Sequence, residues 1–374
     1  MTDYRLIDAA PDLAAFLTTW RAEALVAVDT EAASFHRYVD RVYLAQISTR
    51  RETAIIDPVA VDLTPLGALL ADAAVEKIFH DADYDLRILD RDYAFRARTL
   101  WDTRIAAQLA AEPAIGLGAL LEKYLGVRLS KDYQKADWSL RPLPPEMLAY
   151  AADDTRHLPA LRDALRERLT ALGRLGWAEE EFGRLEGLRW SAPEGDRDDA
   201  YQRVKGAKTL APRQLAALRA VWNWRESVAA AQDRATFRIV GNDALIGVAR
   251  ALPRDAGALG QVRELPPALA RRHGTALLEA VATALAQGEA ALPRVERGAR
   301  LPRDPEFESR LERLKAARNQ AAQTLALDPG VLCGKSILEA VARAQPADRA
   351  ALARIPELRR WQMEVLGDAL LAVI

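Results

Sequence analysis

A chain of 374 residues, half of them hydrophobic and 28% charged, is too long for one ordinary core and too apolar for disorder, so two or three globular domains are expected. No apolar run approaches the roughly 20 residues of a membrane span, the first residues lack a basic, apolar signal pattern, and the one cysteine, Cys333, excludes an internal disulfide and suits a reducing cytoplasm. Zinc clusters are disfavoured by one cysteine and four scattered histidines, and the net charge of -1 hides an asymmetry: residues 1–154 hold 17 basic against 25 acidic residues, residues 201–290 hold 13 against 7. An acidic, metal-binding front joined to a polyanion-binding module would look like this, as would ordinary sampling of charge.

Residues 11–23 predict a helix with Leu13, Phe16, Leu17 and Trp20 on one face. Leu25 to Val28 is a short β-branched run ending in Asp29-Thr30-Glu31, a buried strand whose exit carries two carboxylates on one face. Such anions repel, and Mg²⁺ or Mn²⁺ with hard oxygen ligands removes the penalty; a solvated strand end is the other reading of three residues alone. Residues 42–48 and 53–58 predict two further strands at hairpin spacing, hence an antiparallel meander. A helix over 66–71, a fourth strand over 77–80, then helical patterns over 86–89, 101–111 and 117–125 complete a mixed α/β order.

The fourth strand ends in His80-Asp81-Ala82-Asp83-Tyr84-Asp85-Leu86, with Asp81 and Asp85 on one helix face and Asp83 placed to cap it. Acids in a first turn also meet the helix dipole, which accounts for one or two of the three. The polar stretch 131–143 leads to a helix opened by Pro144-Pro145-Glu146, on which Tyr150 and Asp154 project side by side. Helix continues over 155–200 and turns polar at 191–199, a domain boundary. Two helical blocks follow, separated by a Pro- and Arg-rich linker over 292–305 and each ordered long helix, loop, short helix, final helix, which suggests a divergent repeat. Arg203, Lys205, Lys208 and Arg213 precede the first long helix as candidate phosphate contacts, with Trp224 and Arg225 following; Trp222 is assigned to the core with Leu218.

Three motifs together resemble the ribonuclease D family of 3′-to-5′ exonucleases: Val28-Asp29-Thr30-Glu31; Ile78-Phe79-His80 followed by Asp85-Leu86; and Tyr150-Ala151-Ala152-Asp153-Asp154. Asp137-Trp138-Ser139-Leu140-Arg141-Pro142-Leu143 resembles this family in particular, and the helical blocks resemble the HRDC domains shared with RecQ-type helicases. The resemblance implies a ribonuclease H-like α/β domain over 1–190 (a mixed sheet flanked by helices) and two small all-α domains over 200–290 and 304–374. Carried over by position, Asp29, Glu31, Asp85 and Asp154 are the carboxylates for two divalent ions, Mg²⁺ or Mn²⁺, and Tyr150 orients the attacking water. Ala32 departs from the family, whose members often place an aromatic there; Phe35 is the candidate substitute for contacting the terminal base.

The activity implied is hydrolysis of RNA from a free 3′ end, with transfer-RNA precursors as the family's substrates and a monomer as the working unit. A single-stranded DNA exonuclease would carry the same acids, and an inactive nucleic-acid scaffold or a helical interaction platform are readings of another class. Four carboxylates match two divalent cations in charge, and such ions supply both a hydroxide at neutral pH and a stabilised leaving group. A tyrosine with an ordinary pKa near 10 positions water rather than deprotonating it.

Overall fold

The computed structural model describes residues 4–130, 132–191, 197–294 and 304–374. Its sheet has six strands: β1 (Arg5–Ile7), β2 (Leu25–Ala32), β3 (Val42–Ser48), β4 (Thr53–Ile56), β5 (Glu76–Phe79) and β6 (Leu100–Asp102). They lie in the order β1-β4-β3-β2-β5-β6, and β3 alone runs against its neighbours. The meander expected over residues 25–58 is therefore present, with the acid-tipped β2 central.

Two strands differ from the expectation. β1 and β6 have three residues each, too few for a period of two to register. Residues 101–102, expected to start a helix, extend β6, and Asp102 then caps α4 (Thr103–Leu109) by accepting from the backbone N–H of Arg104 at 2.8 Å and Ile105 at 3.0 Å. The helix expected to run on from 155 is broken at Gly173, whose φ of 68° ends one segment before the next begins.

Alternation along β2 sorts its side chains between two layers. Val26 and Val28 pack with α1 (Ala10–Trp20), α2 (Leu66–Ala71) and α3 (Asp83–Tyr93) through Leu13, Phe16, Leu66 and Leu86. Leu25 and Ala27 face the other way, with Ile78 and Trp101, toward α4, α5 (Leu117–Leu125), α7 (Leu158–Ala171) and α8 (Leu175–Leu185). On that same side α6 (Pro145–Arg156) covers Leu44 and Ile55 through Leu148, Ala151 and Ala152. Asp29 and Glu31 share the parity of Ala27, so they emerge beside α6.

The helical blocks repeat one design. The first holds α9 (Pro212–Ala231), α10 (Asn242–Ala251), α11 (Ala256–Gly260) and α12 (Pro267–Leu285); the second holds α13 (Pro305–Leu325), α14 (Pro329–Leu332), α15 (Lys335–Ala344), α16 (Arg349–Leu352) and α17 (Arg360–Leu371). α10 and α15 both start after a glycine, Gly241 or Gly334, and both end on a left-handed residue, Leu252 or Gln345. Asp255 and Asp348 then cap the short helices in the same way, at 2.8 and 2.7 Å. The first block has its own core around Leu218, Leu245 and Leu277. The second shares one with the sheet domain: Leu314, Leu338 and Cys333 are buried in the cluster that also holds Trp101, Leu161 and Phe182. Polar contacts reinforce this seam, with Arg174 donating to the carbonyls of Leu109 (2.9 Å) and Leu325 (2.6 Å), Arg359 pairing with Glu181 (3.0 Å) and Trp361 stacked on Trp177.

Candidate active site

At the exit of β2, carboxylate oxygens of Asp29, Glu31 and Asp154 lie within 4.8 Å of one another. The first two come from one face of the strand, the third from α6, whose 3.6-residue period also sets Tyr150 one turn earlier on the same side. Asp85 approaches from the opposite layer, in the first turn of α3, and stands outside that mutually close trio. Its Oδ1 accepts from the backbone N–H of Thr30 at 3.1 Å and from the Thr30 hydroxyl, which tie it to the acidic strand.

The electrostatics are those of buried anions set close together. Burial, then the Asp154 charge, raises Asp29 well above the usual carboxylate range; Glu31 is raised by burial and by Asp29, Asp154 and Asp85; Asp85 is raised by burial and Asp29. Burial and Asp153 push Asp154 up to about 7. Protons held this strongly are what a divalent cation displaces, and an all-oxygen donor set fits Mg²⁺ or Mn²⁺. Tyr150 is raised above its usual value by burial and the three nearby carboxylates, so its hydroxyl stays protonated at neutral pH. Tyr133 meets the Tyr150 ring edge-on at 5.8 Å and Trp138 lies 6.2 Å away, fixing its direction.

A cleft of about 440 Å³ opens onto Asp29, His80, Tyr150 and Asp154, walled by Gly116 to Ala119 and by Ser130 and Gln134. A second cavity of about 300 Å³ shares Tyr150 and Asp154 with it and continues past Tyr133. His80 contacts Thr103 Oγ1 through Nδ1 at 2.9 Å, and burial lowers it to about 4, so it is neutral.

The neighbouring acids are occupied elsewhere. Asp81 pairs with Arg104; Asp83, expected to cap α3, is instead its first residue and pairs with Arg87 at 2.7 Å; Asp153 pairs with Arg156 at 3.2 Å. Sequence reasoning missed Gln46. It stands directly opposite Asp29 in the β2–β3 ladder, is fully buried, and neither amide atom has a hydrogen-bond partner among the described residues. The signal was a lone polar residue inside the apolar run Leu44-Ala45-Gln46-Ile47.

The cations of the first helical block divide. Lys205 and Lys208 are exposed. Arg225 is 4% exposed and spends its guanidinium on Asn242 Oδ1 (2.7 Å), the Val240 carbonyl and Glu226, which corrects its expected phosphate contact: it holds α9 to α10. Arg213 likewise donates to the carbonyls of Leu285 and Gln287 and pairs with Glu289, closing the block. Trp224 is half-buried against His273, and Trp222 packs on the block's core as expected. Phe35 is 46% exposed, outside the cleft lining.

Residues 4–170 match the family model for a 3′-5′ exonuclease, and the HRDC domain model matches twice, at 214–281 and 307–374. Ribonuclease D of Gluconacetobacter diazotrophicus is 32% identical over 373 residues, covering 98% of this chain and 92% of that protein. This chain belongs to the ribonuclease D family. Ribonuclease D of Pseudomonas paraeruginosa is 33% identical, covering 94% of this chain and 92% of its own. Among solved structures, Escherichia coli RNase D, an exoribonuclease involved in structured RNA processing, aligns with a TM-score of 0.72 at 27% identity over 99% of this chain and 98% of that one. The catalytic core of RRP6 from Trypanosoma brucei aligns with a TM-score of 0.67 at 29% identity, over 77% and 80%. As a ribonuclease D, the chain is a 3′-to-5′ exoribonuclease, with a mixed α/β exonuclease domain and a helical HRDC region.

Proposed function

We propose that Asp29, Glu31, Asp85 and Asp154 hold two divalent ions, Mg²⁺ or Mn²⁺, and that Tyr150 orients the water that cleaves the terminal phosphodiester of an RNA. The convergence of three carboxylates within 4.8 Å, beside a protonated tyrosine, carries this reading. When bound there, such ions would lower the pKa of a water and stabilise the leaving alkoxide. Thr30 donates to Asp85 twice, which favours the charged form and opposes the burial that raises it, and Tyr150 donates or accepts at the water while retaining its own proton.

Three units, 1–190, 200–290 and 304–374, would then divide the work between chemistry and grip, within one polypeptide acting as a monomer in the cytoplasm. No described helix is long and apolar enough to cross a membrane. Transfer-RNA precursors are the substrate the family suggests. Degradation of a 5′-labelled single-stranded RNA, with a matched DNA, in Mg²⁺, Mn²⁺ and chelator tests the reading. A ladder shrinking from the 3′ end only with metal is expected; intact RNA with either ion overturns it.

A further inference from the structure

The segment that follows β2 leaves the acids and meets the first HRDC block within a few residues. His36 accepts from the backbone N–H of Ala235 at 3.0 Å, Tyr38 donates its N–H to Asp233 Oδ1 at 3.2 Å, Arg37 pairs with Asp233 at 3.6 Å, and Arg238 donates to the Phe35 carbonyl. From the exonuclease side His36 Nε2 contacts the Lys135 carbonyl at 2.9 Å. This much bonding fixes two aromatic rings against each other. Phe35 and Phe237 meet edge to face at 6.4 Å, yet they remain 46% and 54% exposed. A contact serving only to pack the domains would bury such rings, as the seam around Trp361 does at 2% exposure.

Cations flank the pair. Lys135 Nζ lies 5.8 Å from the Phe35 ring and the Arg238 guanidinium 6.0 Å from that of Phe237. Lys135 also follows Gln134, a residue of the cleft wall, and Tyr133, which abuts Tyr150. The platform therefore begins where the cleft ends. Exposed π faces with adjacent positive charge suit an unpaired nucleotide, whose base stacks while its phosphate meets the cation.

We infer that Phe35 and Phe237, with Lys135 and Arg238, form a stacking platform shared by the exonuclease and first HRDC domains, which holds an unpaired base of the RNA upstream of the nucleotide being removed. The inference rests on the exonuclease reading for the direction of the strand. The first HRDC domain thus contributes a substrate subsite through the loop before α10, separate from the exposed cations that precede α9.

The test uses the full chain carrying Asp29→Asn, so that bound RNA stays intact, and measures the Kd of a 5′-labelled single-stranded RNA without and with Phe237→Ala. Binding weakens by about 5- to 140-fold, the range for one lost base stack. Phe237→Leu, which keeps apolar volume, gives the same loss, and Phe237→Trp restores affinity. Moving a single abasic nucleotide along the strand finds one position at which Phe237→Ala has no further effect. Equal Kd for Phe237→Ala and its parent, or full binding by Phe237→Leu, overturns the platform. Metal-dependent degradation by the unmutated protein reports on the exonuclease reading separately, so either idea is able to fail alone.

Discussion

At the scale of single residues the site stores unfavourable electrostatics for a cation to relieve. A carboxyl group at about 7 in the folded chain, against an ordinary value near 4 when unfolded, means that the folded state holds more protons between those limits. Stability of the metal-free protein therefore falls as pH rises from about 4 to 7, and the metal-induced rise in Tm is larger at pH 8 than at pH 5. Asp154→Asn removes one charge from the cluster: it raises the metal-free Tm at pH 8 by about 2–4 °C per kcal/mol of relieved repulsion and lowers exonuclease activity by more than about 100-fold. Scanning calorimetry in chelator, beside the oligonucleotide assay, checks both halves. Tyr150→Phe keeps the ring between Tyr133 and Trp138 but misplaces the water, so kcat falls on the order of 10²-fold while Mn²⁺ affinity by calorimetry is unchanged. Gln46 offers a contrast. An unpartnered buried amide costs about 1–3 kcal/mol, so Gln46→Leu does not destabilise, unlike most core substitutions, and moves the urea midpoint upward.

At the scale of elements, the segment that carries Gln134 to the cleft and Trp138 to the Tyr150 ring has little secondary structure and is held by Arg141. Its guanidinium reaches Asp57 through two bonds of 2.6 and 2.7 Å and the Tyr43 carbonyl at 2.7 Å, clamping the segment onto β3 and the end of β4. Arg141→Ala leaves half-buried Asp57 without its ion-pair partner and with only the Val59 N–H (2.9 Å), a loss of about 1–3 kcal/mol read in urea unfolding. Elements of this kind also show what a sequence carries. The exit of β2 was legible because four apolar residues stop abruptly at two acids with a fixed period, and α6 because Tyr150 and Asp154 are one turn apart. Three-residue strands contain too little pattern, so β1 and β6 were not. Arg213 and Arg225 read as surface charge because composition counts guanidinium groups without telling where their donors end; carbonyls 15 to 74 residues away decide that. Phe237 left no mark for the same reason: one aromatic in a loop gains meaning only from the distant Phe35 beside it.

At the scale of the whole molecule, the two HRDC blocks are attached by different physics. The first keeps its own core and meets the exonuclease domain through a handful of hydrogen bonds and one aromatic pair, while the second buries apolar side chains jointly with it. RNA binding falls with salt with a slope of about 0.7 per phosphate contacted, and Lys205→Ala with Lys208→Ala lowers that slope by roughly 1.4; an unchanged slope removes these lysines from the interface. Trp361→Ala removes a buried ring and its hydrogen bond to Glu181, which keeps Arg359, so it costs about 3–5 kcal/mol and lowers the single calorimetric transition expected of α13–α17 and the exonuclease domain together.

That joint core places the only thiol of the chain where solvent cannot reach it: Cys333 is fully buried, and burial pushes it up to about 11. A thiol so protected reacts with a soluble disulfide reagent only during moments when the seam parts. Its labelling rate, divided by that of the unfolded chain, is then a direct clock for the breathing of two domains against each other. No engineered probe is needed, and RNA added to the same reaction tells whether substrate slows the clock.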